Sequence, residues 1–275
     1  MPIHAPAKLN LCLFLGPRRE DGLHELCSLF EPLALADAIE VSEADRDEVV
    51  CEGVEGENLA ARALAGLRER GWRRGPLRIE IAKRIPVAAG LGGGSADAAA
   101  VLRLAAGEVA GLEELAAELG ADVPSQLDPT LALVRGAGET VARLPRPEPH
   151  AVVLLPGGGG LSTAEVFAEA DRLGLGRGAV ELEALGQRLL TAAGAGASPL
   201  EYAELLGNDL EPAARALRPE VEEALGALRE AGAPLALLTG SGPTAFGLFP
   251  DLAAARGAAE RIDRDDVIVC EAGAP

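Results

Sequence analysis

Apolar and polar residues alternate over the first fifteen positions. Ile3, Ala5, Ala7, Leu9, Leu11, Leu13 and Leu15 take one parity, and His4, Lys8, Asn10 and Cys12 the other. A period of two predicts a β-strand with one buried face. It also sets Lys8 and Asn10 on the same side of that strand, two residues apart. The polar run 16–22 predicts a loop, and short strands are expected over 27–35, 38–42 and 48–52. Asn58, ahead of Leu59-Ala60-Ala61-Arg62-Ala63-Leu64, predicts a capped helix that stops at Gly71. Leu77, Ile79 and Ile81 alternate as a further strand. A glycine run at 90–94 follows, then helices over 96–106 and 112–119, a turn at 120–124, and a hairpin of 131–135 with 139–143.

Pro145, Pro147 and Pro149 predict a linker. Beyond it the pattern gives a strand at 151–155, a second glycine run at 157–160, and helices over 163–172, 179–193, 201–206 and 211–231. Strands at 235–238 and 245–249 flank Thr239-Gly240-Ser241-Gly242-Pro243-Thr244, and a helix over 251–261 and a strand at 266–270 complete the set. Helices and strands mix without a repeating βαβ order, which predicts two α+β domains, 1–146 and 150–275.

Composition narrows the function classes. With 275 residues, 48% of them hydrophobic, the chain holds enough apolar surface for real cores. No apolar run approaches the roughly 18 residues of a membrane span, and no basic-then-apolar leader pattern stands at the start, so a cytoplasmic protein without a membrane partner is expected. Cys12, Cys27, Cys51 and Cys270 lie far apart without a C-x-x-C pair, which suggests neither zinc nor a disulfide framework. The net charge of −18 argues against nucleic acid as a partner. Lysine is nearly absent: of 25 basic residues only Lys8 and Lys83 are lysine. Where arginine serves everywhere else, a lysine marks a place that calls for a compact ammonium group.

A strand, then Gly90 to Gly94, then Ser95 opening a helix is the arrangement expected of an anion site; read by itself the run also fits a flexible glycine turn. Glycine lets backbone N–H groups turn inward, and the helix start adds unpaired donors and partial positive charge. Such a loop holds phosphates without side-chain charge, as an acidic chain requires. Ser95 is also placed to cap the helix or ligate magnesium. A P-loop is excluded because no lysine stands at its position, and the G-x-G-x-x-G pattern fails because Ser95 replaces its third glycine.

Pro86-Val87-Ala88-Ala89-Gly90-Leu91-Gly92-Gly93-Gly94-Ser95-Ala96 resembles the phosphate-loop motif of the GHMP kinases, which include galactokinase and the homoserine, mevalonate and phosphomevalonate kinases. Ala5-Pro6-Ala7-Lys8-Leu9-Asn10-Leu11, Arg18 to Leu26, Gly120-Ala121-Asp122-Val123-Pro124, Asn208-Asp209-Leu210-Glu211 and the turn 239–244 fall in the family's order. The resemblance implies a two-domain α+β GHMP kinase fold with an active-site cleft between the domains. It implies ATP and Mg2+, with the triphosphate on residues 86–96, Asn58 and Lys83 beside the nucleotide base, and Ser95 as a magnesium ligand. It implies that Asp122 takes the proton of the acceptor hydroxyl and that Lys8 orients Asp122. The acceptor expected from the Asp21-Gly22-Leu23-His24 segment is a small molecule, a cytidine diphosphate-linked polyol. His24 and Phe167 match positions at its cytidine end; Asn10, on the face of Lys8, and Thr163, in the segment that carries Phe167, are expected to bind it too. Leu23 stands where the family usually has a tyrosine that stacks on cytosine, which leaves the stacking to Phe167. Another GHMP small-molecule kinase, or a non-catalytic nucleotide-binding protein, is the rival expectation.

Overall fold

The computed structural model describes residues 2–54, 56, 58–158 and 161–272. In chain order the elements are β1 (Ile3–Arg18), β2 (His24–Glu43), β3 (Glu48–Cys51), α1 (Leu59–Glu69), β4 (Leu77–Ala82), α2 (Gly93–Arg103), α3 (Leu112–Leu119) and α4 (Val123–Gln126). Then come β5 (Ala132–Gly136), β6 (Thr140–Arg143), β7 (His150–Leu155), α5 (Thr163–Leu173) and α6 (Ala179–Ala193), followed by a 3-10 turn (Pro199–Leu205). The chain ends with α7 (Glu211–Leu217), α8 (Glu220–Glu230), β8 (Leu235–Leu238), β9 (Ala245–Phe249), α9 (Leu252–Ala259) and β10 (Ile268–Ala272).

These elements form two compact units. One comprises Met1–Lys8, Leu35–Val87 and Gly92–Pro129; the other comprises Leu9–Ala34, Ala88–Leu91 and Thr130–Pro275. In the first unit the second half of β2 pairs antiparallel with β4, and β4 pairs parallel with β3. Its core joins Ile39, Leu77, Ile79 and Ile81 from the strands to Ala60, Ala63, Leu64 and Leu67 of α1 and Ala96 to Leu102 of α2. Small side chains bring the helices close: a Cβ on Gly66 would lie 2.6 Å from Leu115 of α3. In the second unit β8, β9, β7 and β10 run antiparallel in that order. The hairpin β5–β6 pairs with the first half of β2. Val153 and Leu155 of β7 pack there with Val166 of α5, Leu225 and Leu228 of α8 and Ala255 of α9.

Four expectations from the sequence pattern are corrected. Strand β1 is buried on both faces: Lys8, Asn10 and Cys12 are as enclosed as the leucines between them. Residues 27–35 and 38–42 are not two strands but parts of the single β2, along which the Asp37 carboxylate accepts the backbone N–H groups of residues 84 and 85. The helix expected over 211–231 is two: Pro219 forces Arg218 into an extended conformation and ends α7. The helix expected from residue 96 starts at Gly93, with Gly92 as its left-handed cap residue, so Ser95 lies inside the first turn and caps nothing. Of the second glycine run, Gly157 and Gly158 follow β7, while Gly159 and Gly160 lie outside the described residues.

A buried ion pair ties β2 to β7 in the second unit. His150 Nε2 lies 3.0 Å from Glu31 Oε2, and Nδ1 lies 2.9 Å from the Glu148 carbonyl. Neither side chain reaches solvent. Burial works against the imidazolium, but the Glu31 carboxylate and the Glu148 carbonyl outweigh it and hold the His150 pKa above its ordinary value. The stability this pair gives is therefore full below the ordinary imidazole range and is lost as pH rises through the folded-state value. Urea midpoints should fall as pH rises above neutrality. Glu31→Gln should cost about 3 kcal/mol at pH 6 and flatten that slope; an unchanged slope in the variant would contradict the assignment.

Candidate active site

The first unit assembles Lys8, Asp122 and the start of α2. Lys8 Nζ lies 3.3 Å from Asp122 Oδ2, with the lysine enclosed and the aspartate about one-third exposed. Asp122 precedes the short α4 but makes no capping bond with its side chain. Ser125 Oγ donates to its carbonyl at 2.7 Å and fixes the backbone of that turn, so the carboxylate stays free of the cap. Gly92 fits against the stem of Lys8: a Cβ there would lie 2.8 Å from Lys8 Cγ. Its φ of 70° is in the left-handed region that glycine tolerates. The helical ladder of α2 begins with the Ala96 N–H donating to the Gly92 carbonyl. The N–H groups of Gly93, Gly94 and Ser95 therefore precede the ladder, at the positive end of the helix dipole.

Lys83 lies deeper. Its ammonium bonds Asp37 Oδ2 and, at 2.8 Å, Asp97 Oδ2. Asp37 also accepts the backbone N–H groups of Arg84 and Ile85, which fixes the strand end that leads into the glycine loop. Burial pushes the Asp97 carboxyl up to about 6 against the pull of Lys83, and the neighbouring Asp37 carboxylate adds to the rise. A Cβ on Gly93 would lie 3.1 Å from Lys83 Nζ, so the lysine backs the loop from inside. Asn58 caps α1 by accepting the Ala60 N–H at 2.8 Å. The next residue, Leu59, lies 3.8 Å from the Cβ position of Gly94, which sets the start of α1 beside the start of α2.

The second unit gathers the other expected residues. Asn10 Nδ2 donates to Ser28 Oγ at 2.9 Å, and its backbone N–H donates to Thr239 Oγ1 at 2.9 Å. His24 Nδ1 faces the Gly16 carbonyl at 3.2 Å, and Nε2 lies 3.1 Å from Asp171 Oδ1. The rings of His24 and Phe167 are 5.7 Å apart at a tilt of 36°. Leu23 is 54% exposed, held by its N–H donating to Asp21 Oδ1. Thr163, first residue of α5, shares a 2.9 Å hydrogen bond with Ser241. Residues 88–91 of the glycine loop belong to this unit. Ala88 adopts φ of 58°, uncommon for a residue with a Cβ. Gly90 needs its missing side chain, because a Cβ there would lie 2.9 Å from the Gly242 carbonyl. Pro86 and Val87 enter the loop, with Val87 61% exposed, and Leu91 anchors it as a fully buried side chain.

Sequence reasoning missed Asp37, Asp97 and Asp171. Asp171 carried a signal, standing one helical turn after Phe167 on the same face of α5. Asp37 carried a weaker one, a carboxylate inside the apolar stretch from Leu33 to Ile39. Among the described residues no group of three or more His, Cys, Asp or Glu side chains is placed to hold a metal ion, and no helix is long and apolar enough to cross a membrane.

The family described as GHMP kinases N terminal domain matches residues 58–130, and GHMP kinases C terminal matches residues 184–267. A 4-diphosphocytidyl-2-C-methyl-D-erythritol kinase of Mycolicibacterium gilvum is 43% identical over 88% of this chain and 80% of its own length. One of Pelotomaculum thermopropionicum is 42% identical over 95% of this chain and 93% of its own. A crystal structure of 4-(cytidine 5'-diphospho)-2C-methyl-D-erythritol kinase superposes with a TM-score of 0.82 at 38% identity, covering all of both chains.

Proposed function

The chain belongs to the GHMP kinases, in the branch of its 4-diphosphocytidyl-2-C-methyl-D-erythritol kinase relatives, and on that premise we propose how its residues divide the work. The reaction is phosphorylation of the 2-hydroxyl of 4-diphosphocytidyl-2-C-methyl-D-erythritol, a step toward isoprenoid precursors. The observation that carries the assignment of roles is the contact between Lys8 and Asp122 beside Gly92.

ATP is the phosphoryl donor in this reading. The glycine loop fits a triphosphate because side chains are missing where backbone must come close, and because the N–H groups of Gly93, Gly94 and Ser95 precede the α2 ladder. Pro86 to Ala96 hold the phosphates, and Asn58 and Lys83 lie beside the base. Magnesium, when bound with ATP, offsets the charge of the β- and γ-phosphates. Ser95 Oγ is the side chain that would hold the ion.

Carbon 2 of the acceptor carries a methyl group, so its hydroxyl is tertiary and hindered. Positioning therefore matters more than intrinsic reactivity. Asp122 accepts the hydroxyl proton as the oxygen attacks the γ-phosphorus in line and ADP departs. The Lys8 ammonium holds the carboxylate in place and offsets charge that develops on the transferring group. Asn10 hydrogen-bonds the acceptor. His24, Thr163 and Phe167 hold its cytidine end. With Leu23 in place of an aromatic, the stacking on cytosine falls to Phe167.

Phe167→Ala should raise the acceptor KM by roughly tenfold, the scale of one base–aromatic stack, with the ATP KM unchanged. Initial rates at saturating ATP measure this, and an unaltered acceptor KM would remove Phe167 from the site. We put the domain boundary at the proline run, with domains 1–146 and 150–275, and the protein in the cytoplasm, where its cysteines would stay reduced. Sister GHMP kinases are the rival reading. ADP release measured against cytidyl-methylerythritol, homoserine, mevalonate and galactose decides between them: turnover of the cytidyl acceptor alone supports the assignment, and turnover of another acceptor in its place rejects it.

A further inference from the structure

The segment Asn208-Asp209-Leu210-Glu211 has no part in the roles above, yet its side chains are fully engaged. Asn208 Nδ2 donates to the carbonyls of Leu238 at 2.7 Å and Gly240 at 2.8 Å, while Oδ1 accepts the Leu210 N–H at 2.9 Å. Glu211 Oε2 accepts the Leu238 N–H at 3.3 Å. The segment itself is fastened to β1: the Leu13 N–H donates to the Gly207 carbonyl, and the Asp209 N–H donates to the Leu13 carbonyl, each at 2.8 Å. Asp209 adds bonds from the Leu15 N–H and from both ends of the Arg177 guanidinium. Leu238 and Gly240 form the root of the turn Thr239–Thr244 between β8 and β9.

That turn reaches three ways. Thr239 Oγ1 accepts the Asn10 N–H and donates to Asn10 Oδ1. Thr244 Oγ1 donates to the Ala89 carbonyl at 2.6 Å, in the middle of the glycine loop. Ser241 shares its hydroxyl bond with Thr163. The turn itself is tight, with Thr239 N–H to the Thr244 carbonyl and Gly242 N–H to the Thr239 carbonyl. It is also hemmed in, because a Cβ on Gly157 would lie 2.4 Å from Pro243. One turn therefore touches residues assigned to the acceptor and residues assigned to ATP, and both N–H donors of a single buried amide hold its root.

We propose that Asn208 is a positioning residue for phosphoryl transfer: it holds the Thr239–Thr244 turn in the place from which that turn sets Asn10, Ala89 and Thr163 together. The proposal rests on the assignment of those three residues to ATP and acceptor. A loosened turn lowers the fraction of molecules with all three residues in place. If each substrate binds only that fraction, both apparent affinities fall by the same factor, and saturation with both restores the rate.

Asn208→Asp tests this. It keeps the shape and the bond to Leu210 but turns two donors into an acceptor facing two carbonyls. At a temperature well below its unfolding midpoint, the KM for ATP and the KM for the acceptor should both rise by roughly tenfold, with kcat within about twofold of wild type. Asn208→Ser, which keeps one donor and adds no charge, should show a smaller rise in both and decides the matter if the Asp variant does not fold. Thr244→Val should raise the ATP KM alone in the wild-type background, and less so when added to Asn208→Asp, because both act on the same turn. A residue that only stabilised the fold would lower the unfolding midpoint and leave the kinetic constants of folded protein unchanged. That result, or full additivity of the two substitutions, overturns the proposal. Absence of turnover in the wild type would instead reject the functional reading on which it rests.

Discussion

Asp122→Asn should lower kcat by roughly a hundred- to ten-thousand-fold, the range a positioned general base supplies, while the dissociation constant for ATP stays within about twofold. The amide keeps the size of the carboxylate but accepts no proton. It also removes the negative charge that faces the Lys8 ammonium at 3.3 Å. The fold should survive, since the Asp122 side chain caps nothing and its turn is held by Ser125 through the backbone. ATP binding should survive too, because the donors assigned to the phosphates belong to the backbone of α2. Steady-state rates together with calorimetric titration of ATP separate the two effects. Near-normal turnover would remove Asp122 from the reaction.

Gly92→Ala is the second large effect. A side chain there meets two obstacles at once. The backbone stays left-handed, at a cost of about 1 kcal/mol for a residue with a Cβ. The new methyl also falls 2.8 Å from Lys8 Cγ and 3.2 Å from Cε, so the lysine stem must shift away from Asp122. kcat/KM should drop by roughly tenfold to a hundredfold, as expected when a reacting group is displaced by about an ångström, and the melting temperature by only a few degrees. Gly94→Ala is the control. Its Cβ would meet only Leu59, at an ordinary 3.8 Å, so any loss of ATP affinity there reports crowding of the ligand and not of the chain. Full activity in Gly92→Ala would show that the loop and the lysine are not coupled.

The period of two in the first fifteen residues was enough to place β1 and to put Lys8 and Asn10 on one side of it. It was not enough to show that this side is buried, because a face of His4, Lys8, Asn10 and Cys12 looks solvated until its partners are known. Those partners are remote in sequence: Asp122 for Lys8, Ser28 and Thr239 for Asn10. Distance along the chain also hid the carboxylates around Lys83, since Asp37 and Asp97 come from other elements. The four-residue segment from Asn208 stood out as a motif, but its job depends on carbonyls thirty residues later, and a carbonyl leaves no mark in a sequence. Local signals fared better. The Asn58 cap was legible from its own six following residues. The break at Pro219 was legible in principle, since proline forbids helix at the residue before it, but the apolar period carried through it. Ser95 was misread as the helix opener because serine is a common cap; the left-handed Gly92 took that place.

Both lysines proved to be enclosed and paired with carboxylates, which explains why arginine has not replaced them. Gly92 closes on the Lys8 stem and Gly93 on the Lys83 ammonium, places where a compact head group is easier to hold than a planar guanidinium. On the proposed assignment, two compact ammonium groups and the backbone dipoles of the loop meet the charge of the phosphates.

Phosphorus NMR of the product formed from ATP and 4-diphosphocytidyl-2-C-methyl-D-erythritol tests the central claim most directly. Carbon 2 carries no hydrogen, so a phosphate on its oxygen gives a monoester resonance without P–O–C–H splitting, and one such ester should appear for each ADP released. A split resonance would place the phosphate on another hydroxyl, and ADP with inorganic phosphate and no ester would show hydrolysis without transfer; either result contradicts the account.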